Sequence, residues 1–176
     1  MDPITQAFVQ GAAGAAGDKT YVDDVFSTNL WAGTSGSLAI DNGIDLAGEG
    51  GLVWMKMRNT SYGHGLYDTA RGTTKEIESS SNAAQNTEAG GITSFNSNGF
   101  TTGSRHNQVT QCNAWTFRTS KGFFDVVTYT GNNEGTNGQS ISHNLGSGPG
   151  MIIVKKTSSY GAVSYTHLTL PTTPYV

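Results

Sequence analysis

Leu52-Val53-Trp54-Met55-Lys56-Met57-Arg58, released by the turn Gly48-Glu49-Gly50-Gly51, is the stretch that decides the fold class. Four apolar residues open it, and then Lys56 and Arg58 alternate with Met57, the period of two of a half-buried strand. Leu52, Trp54 and Met55 are its core candidates. A strand needs partners, and the surrounding chain offers many. Residues 26–32, 38–40, 65–69, 73–77, 91–95, 99–103 and 113–118 all read as short strands. Turn signals separate them at Asp41-Asn42-Gly43, at 82–88, at Asn96-Ser97-Asn98-Gly99 and at 105–107. Only residues 76–85 could hold a helical turn. Many short strands with Gly and Asn turns predict an all-β fold. The expected form is an antiparallel β-sandwich of jelly-roll or concanavalin-A-like type.

Composition agrees. The chain has 176 residues, of which 24 are glycine and only 13% are charged. Ser, Thr and Asn supply the polarity instead, which suits strands joined by tight turns. Ten basic residues against 13 acidic ones leave a net charge of -3. That balance lacks the basic face a nucleic-acid partner requires. Cys112 is the single cysteine, so neither a disulfide framework nor a thiolate zinc cluster can form within one chain. It reads as a small buried hydrophobe. No apolar run is long enough for a membrane span. The N-terminus lacks a basic flank before an apolar core, so no signal peptide is expected. Assembly in a cytoplasm follows from that reading.

The organisation divides into four parts. Residues 1–20 form a Gly/Ala-rich segment in which Ile4, Phe8 and Val9 precede Gly11, Gly14 and Gly17. It reads as a flexible linker, or as a docking segment that orders on a larger assembly. Residues 21–118 form the sandwich unit. Residues 119–162 read as the truncated start of a second, similar unit, because the sequence echoes itself. Leu46 to Lys56 reads LAGEGGLVWMK, and Leu145 to Lys155 reads LGSGPGMIIVK. Each has a leucine, a glycine-rich turn, four apolar residues and a lysine. A period of roughly 100 residues suits a repeated sandwich rather than a solenoid. On that reading residues 123–129 and 151–156 are the first major strands of the second unit.

The fourth part, Val163 to Val176, reads VSYTHLTLPTTPYV. It resembles the translation of a transposon-type sequencing adapter. The reverse strand of that adapter yields VSYTHLTLPT in one frame, a sample index follows, and GTG-TAG then gives valine and a stop. The resemblance implies a non-native tail and a natural chain that continues past about Ala162. Such a tail is set aside from fold reasoning. Its alternating Thr166, Leu168 and Leu170 could still add a short strand at an open edge.

No catalytic, metal or cofactor constellation is expected. The two glycine-rich turns lack strand-turn-helix context and the Lys-Ser/Thr of a phosphate loop. His64, His106 and His143 sit singly in loops, without metal spacing. Asp68, Glu76, Glu78 and Asp125 lie on or near strands, but no alternating acidic pair of glycosidase type is read among them. They are expected to be solvated or arginine-paired. Asp68 and Arg71 are placed to form a local pair, worth about 0–1 kcal/mol if exposed. The loop NTSYGHG brings together Asn59, Tyr62 and His64, a ring and hydrogen-bonding groups of the kind that bind sugars. An ordinary hairpin loop is the alternative reading.

Longer ordered motifs carry a family resemblance. GGLVWMKMRN, LYDTARGTTKEIES, ITSFNSNGFTTGS, WTFR and GFFDVVTYTGN with HNLGSGPGMIIVK resemble tail-fibre-like or other virion structural proteins of marine bacteriophages. These are built from repeated lectin-like sandwich domains. The opening ITQAFVQGAAGAAG followed by YVDDVFSTNLW resembles the start of such proteins. The family's recurrent positions fall on Trp54, Lys56, Asp68, Arg71, Gly72, Phe95, Gly99, Phe100 and Trp115, as core or register residues. The resemblance implies a non-enzymatic virion protein of a tail fibre or appendage, without cofactor. Its implied partners are other virion proteins and, by analogy with fibres, two further copies in a trimer. A glycan-binding module for the host surface is the second expectation, and a polysaccharide hydrolase the third.

Overall fold

The computed structural model describes residues 20–108, 111–132 and 138–158, together with the backbone of 164–167. The N-terminal segment up to residue 19 and most of the tail lie outside the described residues. One helical turn, α1 (Val22–Val25), leads in, and the Asp24 carboxylate accepts from the Tyr21 N–H at 2.8 Å. Eleven strands follow among the described residues: β1 (Phe26–Ala32), β2 (Leu38–Asp41), β3 (Gly51–Met57), β4 (Gly65–Asp68), β5 (Lys75–Glu78), β6 (Asn86–Thr87), β7 (Ile92–Asn96), β8 (Gly99–Thr102), β9 (Gln111–Arg118), β10 (Met151–Val154) and β11 (Ser164–His167).

The protein is an all-β antiparallel sandwich. One sheet has six strands in the order β1-β9-β3-β4-β5-β6, and the other has three in the order β2-β8-β7. Asn42-Gly43, with Gly43 at φ 82°, carries the chain from the small sheet towards the large one. The core lies between the sheets. It comprises Ile40, Ile92 and Phe100 from the small sheet, Val53, Met55, Tyr67 and Ala114 from the large one, and Ile44 and Leu46 from the connection between β2 and β3. Trp31 and Phe95 pack against its margin.

The stretch that decides the fold is β3, with its phase shifted by one residue. Val53, Met55 and Met57 are fully buried, while Leu52, Trp54 and Lys56 are half-buried on the outer face. The reading of Leu52 and Trp54 as core is therefore corrected, and Met55 stands. Four consecutive apolar residues give no phase of their own, because a one-residue slip exchanges the faces. The register supplies it. Val53 lies opposite Thr116 and Tyr67, and Met55 opposite Ala114 and Gly65, all facing inward. Gly51 enters the strand at φ 153°, and a Cβ there would strike the Phe117 carbonyl and lie 2.9 Å from Leu46 Cδ2. Only glycine admits this approach of backbone to backbone.

Two further expectations need correction. Residues 76–85 contain no helical turn; Lys75–Glu78 is strand, and β6 lies within the stretch read as a loop. Residues 123–129 form no strand, and only the bridge Ser120–Phe124 appears there. A strand is completed by its ladder, and among the described residues no strand lies beside 123–129 to complete it. Phe124 stacks on Phe117 instead, at 5.2 Å between ring centroids. β10 does form, antiparallel to β11. It carries the alternation of β3, with Ile152 and Val154 more buried than Met151 and Ile153. The preceding turns differ, because Gly50 at φ 78° corresponds to Pro149, which cannot take a positive φ. Lys155 Nζ donates to Ser81 O at 2.7 Å and the Gln85 N–H to Thr157 O at 2.8 Å, which ties the end of β10 to the β5–β6 connection.

Candidate functional site

The outer face of the large sheet gathers most of the residues singled out above. Trp54 lies opposite Trp115 in the β3–β9 register, and their rings meet edge to face at 5.8 Å. One row along, Lys56 lies opposite Asn113, which lies opposite Leu30 of β1. The loop of Asn59, Tyr62 and His64 closes over one end of this face. Lys56 Nζ donates to Thr60 O at 3.0 Å and Tyr62 O at 2.7 Å, so a strand lysine holds the loop. Trp54 Nε1 donates to His64 Nδ1 at 3.1 Å. Burial, then Lys56, then His106 push the His64 pKa down, which keeps Nδ1 free to accept. Tyr62 stays 40% exposed, with the Arg105 guanidinium 5.2 Å from its ring centroid. Asn59 is exposed, and its side chain makes no hydrogen bond to Tyr62 or His64 among the described residues. Of the three loop residues, two are thus fixed: His64 by Trp54 and Tyr62 by Arg105.

The remaining signature positions are structural. Asp68 and Arg71 side chains are 5% and 8% exposed. Asp68 Oδ2 takes Arg71 Nε at 2.6 Å, and Asp68 Oδ1 takes the Arg71 backbone N–H at 2.9 Å. Arg71 also donates to Gln85 Oε1 and Leu66 O. The expectation of an exposed pair is corrected: this one is buried, and every arm is used. Gly72 follows at φ 91°, and Gly99 opens β8 at φ 137°. Phe100 is fully buried, and Phe95 flanks it in the β7–β8 register.

A second cluster was missed in the sequence. Glu76 and His106 are 1% and 0% exposed, and His106 Nε2 lies 3.0 Å from Glu76 Oε1. His106 sits in the turn between β8 and β9, as a loop residue should, but it is fully buried, so the reading of it as a surface histidine is corrected. Arg105 lies 3.5 Å from Glu76, 3.2 Å from Glu78 and 3.8 Å from Glu88. Glu76 and Glu78 alternate on β5; Glu76 is fully buried, whereas Glu78, opposite Gly65, is half-buried with its side chain 24% exposed. An alternating acidic pair therefore exists, and Glu76-x-Glu78 is the signal that could have shown it. Room for the His106 ring comes from Gly65, whose Cβ would strike it. Burial pushes the Glu76 carboxyl up, but the His106 hydrogen bond and the charges of His106 and Arg105 outweigh it. The result lies below the ordinary carboxylate range. Burial and the Glu76 charge push the Tyr67 phenol up.

A carboxyl held low in the folded state stabilises above its unfolded pKa, and that contribution is lost as pH falls through the folded one. The lowered His64 pKa acts in the same direction, because protonating Nδ1 breaks the bond from Trp54. Stability is therefore expected to fall below about pH 6.5 through His64 and again below about pH 4.5 through Glu76. Urea midpoints from pH 8 to pH 3 check this. An acid slope identical in Glu76→Gln and the parent would show that Glu76 does not titrate as described.

Among the described residues, no group of three His, Cys, Asp or Glu is arranged to hold a metal ion, and no helix is long and apolar enough to cross a membrane. The family model described as a domain of unknown function (DUF7483) matches residues 22–122, from the lead-in turn to just past β9. Neither a curated protein nor a solved structure matches the chain.

Proposed function

The chain belongs to the DUF7483 family, and from that premise we propose that it is a non-enzymatic structural module of a bacteriophage virion, within a tail fibre or similar appendage. The observation that carries the reading is the pair β3 and β10. The same run of leucine, glycine turn, four apolar residues and lysine occurs twice in the sequence with the same alternation of burial, although the ladder of β10 is closed by β11 from the tail and not by a strand of a second unit. Strung, repeated sandwiches suit an elongated appendage. The resemblance of the long motifs to phage structural proteins supports the same placement, and assembly as a trimer is its extension by analogy. Mass spectrometry of purified particles from a phage that carries an intact version of this gene tests it. The protein is expected among the virion components. Its absence there, with the gene lying among genes for unrelated cytoplasmic enzymes, overturns the proposal.

A second reading, compatible with the first, is recognition of a host-surface glycan on the outer face of the large sheet. Trp54 and Trp115 supply rings, and Tyr62 stands exposed and braced by Arg105. A glycan array probed with the 176-residue protein is expected to show saccharide binding. No binding to any host polysaccharide removes this reading and leaves the first.

Glu76 weighs against the hydrolase reading. A glycosidase acid must stay protonated near neutral pH. Glu76 is held ionised, fully buried, and spent on His106 and Arg105. Release of reducing ends from a host polysaccharide would restore hydrolysis.

A further inference from the structure

A shallow depression of about 580 Å³ lies on the outer face of the large sheet, lined by Thr28, Leu30, Lys56, Arg58, Asn113 and Trp115 among others. We propose that this depression binds a carboxylate-bearing sugar, a hexuronate or similar acidic pyranose within a polysaccharide. The proposal rests on the glycan-binding reading and names its ligand class.

Four features carry it. The first is charge. Lys56 and Arg58 both line the depression, and no Asp or Glu does. Lys56 is engaged by the neutral carbonyls of Thr60 and Tyr62, so its charge is not cancelled. The Arg58 side chain is exposed and makes no ion pair among the described residues. In a chain of net charge -3, a lining with two cations and no anion is complementary to an acidic ligand. Arginine suits a carboxylate, because its planar fork donates two parallel bonds.

The second feature is Asn113. It is 8% exposed, on the outer side of a strand whose neighbours Cys112 and Ala114 face the core. Its amide makes no hydrogen bond to a described residue, yet it borders the depression. A nearly buried amide left open towards a surface hollow offers a donor and an acceptor at a fixed position, which suits sugar hydroxyls. The third is Trp115. Its ring is held edge-on by Trp54, so it is a rigid apolar surface for the C–H face of a pyranose. The Trp54 indole N–H is taken by His64, whereas that of Trp115 has no partner among the described residues. The fourth is shape. Leu30, 67% exposed, rims the hollow, and a shallow open hollow admits the middle of a polymer as well as its end.

The test uses the 176-residue protein and three probes: an oligogalacturonate, its fully methyl-esterified form, and poly-glutamate of matched charge. Binding is read by calorimetry and by the indole N–H resonances. Oligogalacturonate is expected to bind and to shift the Trp115 signal more than that of Trp31. Esterification is expected to weaken binding about tenfold, as is Arg58→Gln, whose exposed side chain leaves the fold intact. Equal binding of the ester overturns the acidic assignment and leaves glycan recognition standing. Equal binding of poly-glutamate overturns the sugar assignment, because bare charge then suffices. Absence of binding to both saccharides by the folded protein overturns this proposal. Glycan-array binding undiminished in Arg58→Gln and Trp115→Leu would then place the glycan site elsewhere.

Discussion

Arg71→Met is expected to lower the stability of the protein by about 3–5 kcal/mol, the cost of leaving a buried charge without its partner. Asp68 sits on the outer side of β4 with its side chain 5% exposed, and Arg71 supplies both the countercharge and two hydrogen bonds to it. The backbone bond from the Arg71 N–H survives the substitution, and the guanidinium bonds do not. Arg71 also pins Gln85 and the Leu66 carbonyl, so the turn between β4 and β5 loosens with it. Arg71→Lys keeps the charge without the fork and is expected to fall between the two. The double variant Asp68→Leu with Arg71→Met removes both charges and is expected to recover much of the loss. Urea unfolding at pH 7 reads all three. A loss below about 1 kcal/mol for Arg71→Met would mean that the pair behaves as a solvated one, and the burial account would fail.

Phe100→Ala is expected to cost about as much, roughly 3–5 kcal/mol. Its ring is fully buried between the sheets, meets Trp31 edge-on at 6.4 Å and belongs to the same cluster as Met55 and Ile40. Nothing polar is involved, so the loss is apolar transfer plus the cavity left by a packed interior. Trp31 fluorescence reports the same cavity. A paired substitution tests the phase of β3. Met55→Ala is expected to cost about 2–5 kcal/mol as a core truncation, whereas Leu52→Ala, on the half-buried outer face, is expected to cost clearly less. Equal costs would contradict the observed register.

Residue patterns disclosed most of the strands and little of their facing. Gly48-Glu49-Gly50-Gly51, Asp41-Asn42-Gly43 and Asn96-Ser97-Asn98-Gly99 are turns because glycine and asparagine reach conformations other residues avoid, and that is a local property. Strand phase is not local. Leu52 and Trp54 read as core because they are large and apolar, but Trp54 has an outer partner in Trp115 that only the β3–β9 register reveals. Burial of polar side chains is equally non-local. His106 reads as an exposed loop histidine until Gly65 of β4 and Glu76 of β5 are brought beside it and bury it. The Asp68–Arg71 spacing was visible, but its burial depends on Gln85 and the neighbouring strands. Residues 123–129 show the converse. Their composition favours a strand, and with no ladder beside them among the described residues it stays unformed. For the candidate site, Tyr62 and His64 were legible as a loop cluster. Asn113 and Arg58 were not, because their meeting on one face depends on β9 lying between β1 and β3.

That position of β9 has a consequence for biosynthesis. Phe26 at the start of β1 is paired with Phe117, and both β1 and β3 find their central neighbour in the last strand of the domain. A ribosome therefore releases β1 through β8 before either ladder can close. Throughout that interval two long edges, including the apolar run from Leu52 to Met55, remain open to neighbouring nascent chains. Folding waits on the closing of the longest loop in the domain, which is slow for the chain-entropy reason that governs all such topologies. Translation speed after Gly91 and the supply of holding chaperones should then govern the yield of soluble protein more than the stability of the finished sandwich.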